Sequence, residues 1–315
     1  MPNSNLGRTL VIANPTAHSG KGALAATYAK HFLESYSAAT SGYTLKLTNS
    51  QGDAVRMARG AAGRYETVLA LGGDGIIHEV VNGLMQLPAS ARPQMGIVPV
   101  GSGNDYARTL GMKANDASAA MGQLVRAKPV EVEVGRVNGI YFMETLSFGL
   151  DAAIALDTTT KREVGSKEHG EQLYVTSGLK LLSRESEGYE CTFSIDGQEP
   201  ESIRALVFAV QVGATYGGGF RICPDASPTD GLLNICHNVK NPSVPRLLAL
   251  FGLARGGHHV GSSVVRLRTA RTVTIDFEKE PPCQTDGEKL VGTHFDVEVM
   301  PKALRVLAPL GSPLL

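Results

Sequence analysis

Between Thr9 and about Val134 short β-branched runs alternate with stretches of helical spacing, and this alternation constrains the chain more than any other feature. Parallel strands cannot be joined by tight turns; each needs a crossover, and helical crossovers cover the faces of the sheet. The expected strands are residues 10–13, 43–47, 68–71, 96–99 and 130–134, and the expected helices are 22–35, 53–61, 76–85 and 116–126. This predicts a Rossmann-like α/β domain over residues 1–134. In such sheets ligands bind at the carboxyl ends of the strands, so the residues that follow each strand carry the functional interest.

After about Gly135 the pattern changes to short strands joined by turn signals: Asn138-Gly139, Asp196-Gly197, Asp230-Gly231 and Asp286-Gly287. Asn-Gly and Asp-Gly tolerate the positive φ of two-residue hairpins, so residues 135–300 read as a β-rich, largely antiparallel domain. Two segments interrupt it with helical character, 151–183 and 244–255. The second sets Leu247, Leu248, Leu250, Phe251 and Leu253 between Arg246 and Arg255, a pattern open to two readings. It suits a helix packed on a sheet, and it suits one lying in a bilayer interface.

A chain of 315 residues, 43% hydrophobic and 19% charged, has ample material for two cores. Lysine plus arginine equals aspartate plus glutamate at 30 each, so no global field draws the protein to nucleic acid. Any membrane contact has to be local. The polar start, Met1 to Arg8, is unlike a secretory leader, and no apolar run approaches the ~20 residues of a membrane span. Cys191, Cys223, Cys236 and Cys283 show no paired spacing, which fits buried thiols in a reducing compartment. His258 and His259 have no ligand spacing around them and read as solvated or hydrogen-bonded loop residues.

Three turns in the first half stand where a nucleotide phosphate would lie. The first runs from Asn14, Pro15 and Thr16 through Ala17-His18-Ser19-Gly20-Lys21 to Gly22, after a strand and into a helix. It departs from a Walker A loop: Pro15 stands at the leading glycine and Gly22 at the hydroxyl that would hold magnesium. The second, Gly72-Gly73-Asp74-Gly75, has the glycine density that lets backbone N–H groups face an anion. Asp74 there calls for a bridging cation, or serves as a helix cap. The third, Gly101-Ser102-Gly103-Asn104-Asp105, opens a short helix, with Asn104 or Asp105 available as its cap. Late in the chain Asp286 has Glu288 two residues on, and a carboxylate pair can divide proton transfer from positioning. The same Asp-Gly is also ordinary hairpin chemistry.

Taken in order, Asn14-Pro15, Gly72-Gly73-Asp74-Gly75 with His78-Glu79-Val80-Val81-Asn82-Gly83, and Gly101-Ser102-Gly103-Asn104-Asp105-Tyr106-Ala107-Arg108 resemble the diacylglycerol kinase catalytic domain family. That family includes sphingosine and ceramide kinases and bacterial lipid kinases. The likeness continues through Tyr216-Gly217-Gly218-Gly219-Phe220, Pro224-Asp225-Ala226, Asp230-Gly231 and Gln284-Thr285-Asp286-Gly287-Glu288. Ile76 departs from the threonine usual after the GGDG loop; sphingosine and ceramide kinases also carry an apolar residue there.

The resemblance implies ATP bound in a cleft between an α/β domain and a β-rich domain, with residues 301–315 returning to the first. It implies magnesium, with Asp74 and Asp105 organising the metal and phosphates. Asp286 would be the catalytic residue with Glu288 beside it, and a structural magnesium would sit on Asp230 and the carbonyls of Ser227 and Leu232. The expected activity is transfer of the γ-phosphoryl group of ATP to a lipid hydroxyl, diacylglycerol first. The alternatives are a sphingosine-type or other lipid kinase, a soluble-substrate kinase of the NAD kinase type, and a non-catalytic nucleotide-binding regulator. Such an enzyme would be cytoplasmic and transiently peripheral to the membrane. Homodimer formation stays open.

Overall fold

The computed structural model describes residues 6–36, 38–163, 176–178, 181 and 187–315. Two compact units partition the chain: residues up to Val132 with Lys302–Leu315, and Glu133–Pro301.

In the first unit β1 (Arg8–Ala13), α1 (Ala17–Ser35), β2 (Gly42–Leu47), α2 (Asp53–Arg59), β3 (Thr67–Gly72), α3 (Asp74–Leu84), β4 (Gln94–Pro99), α4 (Asp105–Thr109) and α5 (Ala117–Leu124) follow one another. The four strands are parallel in the order β2-β1-β3-β4. Val68, Leu69, Ala70 and Leu71 are all fully buried, as a central strand covered on both faces requires. That is why this run is continuously apolar rather than alternating. The expected fifth parallel strand is corrected: Lys128–Val137 forms β5, whose partners are the short antiparallel strand β6 (Ile140–Phe142) and the last strand of the chain. Beside β4 the parallel neighbour is instead that last strand, with Val306 opposite Met95.

In the second unit β7 (Thr145–Gly149), α6 (Leu150–Glu163), β8 (Tyr189–Ile195), β9 (Glu201–Ala205), β10 (Val207–Gln211), β11 (Leu233–Asn238), α7 (Val244–Ala254), β12 (Val265–Ala270), β13 (Thr272–Phe277), β14 (Cys283–Thr285), β15 (Glu288–Leu290) and β16 (His294–Ala308) follow. One antiparallel sheet runs β12-β11-β10-β7-β14-β15, and in the other β13 lies between β16 and β8, with β9 beyond β8. Phenylalanines from both sheets fill the core: Phe148 meets Phe295 at 4.8 Å and Phe277 at 5.1 Å, and Phe193 meets Phe208 at 5.1 Å between ring centroids. A smaller apolar cluster joins α6, α7 and the Tyr216–Phe220 turn through Leu150, Ile154, Leu206, Leu247 and Ala254. The expected helical stretch 151–183 is a helix over Leu150–Glu163; residues 164–175, 179–180 and 182–183 lie outside the described residues.

Three of the four turn signals are hairpins. Asn138-Gly139, Asp196-Gly197 and Asp286-Gly287 all take positive φ at both positions, as a type I′ turn demands. Asp230-Gly231 is not one: it sits in the loop that leads into β11, and only Gly231 has positive φ. All four cysteines are buried and free.

Candidate active site

The loops after β1, β3 and β4 are neighbours because those strands are adjacent in the sheet. Asn14 N–H donates to the Leu71 carbonyl at 2.9 Å, and Val100 N–H to Gly72 at 2.8 Å, so the three strand ends stay paired up to the point where the turns begin. In the first loop the Asn14 side-chain oxygen accepts from the Thr16 N–H at 3.0 Å and from its hydroxyl at 2.8 Å. Pro15 is half-buried beside them. His18, Ser19 and Gly20 take left-handed conformations, so regular helix starts only beyond them, close to the expected residue 22. A Cβ on Gly22 would stand 2.0 Å from the Asn14 carbonyl oxygen, so the loop folds back on a helix that has no room for a side chain there.

Asp74 ties the second loop to the third. Its two carboxylate oxygens accept the Asn104 N–H at 2.7 Å and the Asp105 N–H at 3.0 Å, so it caps the start of α4 rather than its own helix. A Cβ on Gly103 would lie 2.5 Å from one Asp74 oxygen and 3.3 Å from one of Asp105, so both carboxylates converge over that glycine. Two acids held this close suit a divalent cation. Arg108 pairs with Asp105 at 3.3 Å. The glycines serve different ends. Gly72 has a φ of 149°, in the region open to glycine, whereas Gly73 is extended at −89°. What Gly73 and Gly101 require is closeness: a Cβ on Gly101 would come within 2.5 Å of the Gly73 Cα. Gly75 and Ser102 complete the two loops, Gly75 exposed on the first turn of α3 and Ser102 half-buried.

In the β-rich unit Asp286 occupies the β14–β15 hairpin with a φ of 48°. Its carboxylate accepts three backbone N–H groups: Met143 at 2.8 Å, Glu144 at 3.0 Å and Thr145 at 3.0 Å. Glu288 stands across the hairpin opposite Thr285. Asp196 shows the same device. One of its oxygens accepts the N–H groups of Arg271 and Thr272, both at 2.8 Å.

Asp230 accepts the Leu232 N–H at 2.9 Å, and the Ser227 hydroxyl lies 2.9 Å from that of Thr229. The loop is held against β5, where Glu133 N–H donates to Pro228 at 2.9 Å and the Glu133 carboxylate accepts the Gly231 N–H. Burial pushes the Glu133 carboxyl up to about 7, opposed by the Gly231 N–H and aided by the charge of Asp230 beside it. Its other oxygen is buried with no hydrogen-bond partner. A cation between Asp230 and Glu133 would remedy both costs, so these residues fit a divalent ion.

Reading the sequence missed Glu133, whose one signal is an acid in the apolar alternation of residues 130–134. It also missed Asn115, whose side-chain oxygen accepts the Gly101 N–H at 3.1 Å and lies 2.9 Å from His18 Nδ1; no local signal points to it. Glu79, within the His78–Gly83 motif, accepts the Gly52 and Ala54 N–H groups and so caps α2. Asp151 is buried, accepts the Tyr216 hydroxyl, and burial raises its carboxyl to about 7. Leu150, Ile154, Leu206, Phe220, Leu247 and Phe251 line an apolar pocket next to it within the β-rich unit. His258 is exposed, while His259 is buried against the Ile222 carbonyl at 3.1 Å.

Residues 8–137 match the diacylglycerol kinase catalytic domain, and residues 144–308 match the YegS C-terminal NAD kinase beta sandwich-like domain. Curated relatives from Yersinia pestis (strain Pestoides F) and Yersinia pseudotuberculosis serotype O:1b (strain IP 31758), each named "Probable lipid kinase YegS-like", are 32% identical over 279 residues, covering 86% of this chain and 88% of theirs. A crystal structure of a diacylglycerol kinase from Bacillus anthracis str. Sterne superposes with a TM-score of 0.78 at 26% identity, covering 96% of each chain.

Proposed function

Because the chain belongs to the diacylglycerol kinase catalytic domain family and carries a YegS-type C-terminal domain, and so is an ATP-using lipid kinase, we propose that its acceptor is diacylglycerol and its product phosphatidic acid. The observation that supports phosphoryl transfer is the clamp of Asp74 on the Asn104 and Asp105 N–H groups, which fixes two glycine loops as one surface. The observation that supports a lipid acceptor is the apolar pocket of the β-rich unit, which suits an acyl chain.

Transfer of a phosphoryl group asks mainly for in-line positioning and for countercharge on the equatorial oxygens. In this reading the loops of Asn14–Thr16, Gly72–Gly75 and Gly101–Asp105 present backbone to the ATP phosphates. Asp74 and Asp105 would hold magnesium, which when bound supplies that countercharge. Asp286 receives the proton of the acceptor hydroxyl, and its three backbone donors keep the carboxylate from turning away. Glu288 stays beside it on the hairpin. A second, structural magnesium would be held by Asp230, Glu133 and the carbonyls of Ser227 and Leu232. No described helix is long and apolar enough to cross a membrane, and we place the enzyme in the cytoplasm, visiting a bilayer for its substrate.

The test is to incubate the protein with labelled ATP, magnesium and an extracted lipid mixture and to identify the labelled product. Phosphatidic acid is expected. Label in a phosphorylated sphingoid base would replace the acceptor, and label only in water-soluble products would overturn the lipid kinase reading.

A further inference from the structure

Helix α7 has one polar side chain, Arg246, and is otherwise apolar on every face. Its inner face accounts for part of this. Leu247 and Ala254 are buried, and Phe251 lies on the Phe220 ring at 4.9 Å. The outer face has no such explanation: Val244, Leu248 and Leu253 are 49%, 39% and 44% exposed, and Pro245, Ala249 and Gly252 between them are exposed too. Val260, on the adjoining turn, is 37% exposed. A surface helix in water ordinarily carries charge on its outer side, and an all-round apolar helix belongs where something apolar covers it.

The surrounding charge says what that cover is. From Gly231 to Ile275 the sequence has no aspartate or glutamate, but it has Lys240, Arg246, Arg255, Arg266, Arg268 and Arg271. In a chain whose acidic and basic residues balance at 30 each, this is a local excess of positive charge. Arg268 is paired with Glu201. Arg246 instead bonds to the hydroxyls of Ser262 and Ser263 at 3.3 and 3.2 Å, neutral acceptors that leave its charge uncancelled. Lys240 and Arg266 are exposed. Lys240 lies near that serine turn, because Val239 N–H donates to Val264, whereas Arg266, opposite the core-facing His237, is on the other face of the sheet together with Arg268. The apolar face thus has a cationic rim. A second copy seated two-fold on this face would oppose like charges, which disfavours a homodimer through it.

We propose that the outer face of α7 docks on a bilayer containing anionic phospholipid. Leu248 and Leu253 enter the boundary between headgroups and acyl chains, while Lys240 and Arg246 meet phosphates. The proposal goes beyond the phosphoryl-transfer reading and needs no nucleotide. Its test is therefore flotation of the ATP-free protein with phosphatidylcholine vesicles, with and without phosphatidylglycerol.

The parent should float with the anionic vesicles and not with the neutral ones. Leu248→Ser with Leu253→Ser should lower the vesicle partition coefficient about tenfold or more with little shift of the melting temperature, since both side chains are exposed rather than in the core. Lys240→Gln, which leaves the apolar packing alone, should lower it about fivefold at low salt. Binding by the leucine double variant equal to that of the parent would overturn the proposal, as would equal binding to neutral vesicles. So would a dimer in size-exclusion chromatography that the leucine variant breaks while vesicle binding persists. Loss of kinase activity alone moves none of these readouts, and failure of docking leaves the turnover of dispersed substrate to test the enzyme reading.

Discussion

The two units use the same dipeptide, Asp-Gly, to different ends. In the α/β unit Asp74-Gly75 lies in ordinary helical backbone, and its carboxylate reaches over to cap a helix some 30 residues on. In the β-rich unit Asp196 and Asp286 adopt φ of 49° and 48° at hairpin turns, and their carboxylates hold backbone N–H groups of distant strands. The dipeptide sets what the backbone can do, while the fold decides which N–H groups the carboxylate meets. A functional role for any of these residues has to be separated from that clamping.

The sharpest way to break the comparison is Asp286→Asn. Asparagine retains one acceptor oxygen but turns an NH2 group toward one of the three donors, so we expect a loss of about 1–3 kcal/mol in denaturant unfolding. If Asp286 is also the proton acceptor, turnover falls about 10³-fold beyond what the remaining folded fraction explains. Parent-like kcat with lowered stability would make Asp286 a clamp alone.

In the α/β unit Gly101→Ala puts a methyl 2.5 Å from the Gly73 Cα, a backbone atom that cannot swing aside. Strain of about 1–3 kcal/mol should appear as ATP affinity weakened about tenfold or more by calorimetry. Unchanged affinity would remove the paired loops from the nucleotide site.

The remaining effects are smaller. Magnesium at a hundredfold excess over its Kd should stabilise the parent by about 2.7 kcal/mol, and Asp230→Ala should remove that increment. Equal stabilisation in both would place no structural ion there. Asp151, raised by burial to about 7 from the ordinary aspartate value near 3.8, favours the folded state only while protonated. Its contribution is complete below the unfolded value and is lost as pH climbs to about 7, so stability should decline across that window and Asp151→Asn should flatten the decline. A variant with the parent's pH slope would assign the titration elsewhere. The least effect belongs to Asp196→Asn. Both of its short backbone bonds end on one oxygen, which asparagine keeps, so a cost below about 1 kcal/mol is expected in the denaturant midpoint.

The glycine loops were legible because their signal is local. A buried apolar strand followed by glycines and a helix needs no knowledge of the rest of the chain, and the strands at residues 10–13, 68–71 and 96–99 appear within two residues of where periodicity sets them. Residues 130–134 read equally well as strand, but periodicity does not carry the identity of a partner, and β5 joins strands beyond the α/β pattern. Asn115 and Glu133 stayed hidden for a related reason. Each completes a loop whose other members lie 14 or about 98 residues away, and an isolated Asn or Glu carries no mark of it. The apolar stripe of α7 was visible, but its division was not: Phe251 faces inward and Leu248 outward, which only the packing decides.

The last strand has a consequence for how such a chain is made. On a ribosome the strands β1 to β4 emerge early, yet the parallel edge of β4 receives its neighbour only when Val306 appears, more than 200 residues later. Until then the nascent α/β unit presents an apolar strand with unpaired backbone, the kind of edge that recruits other chains. Synthesis at about 5–20 residues per second leaves it open for about ten seconds or more. The nucleotide half of this enzyme is therefore begun first and finished last, with the edge of β4 open through translation of the whole β-rich half.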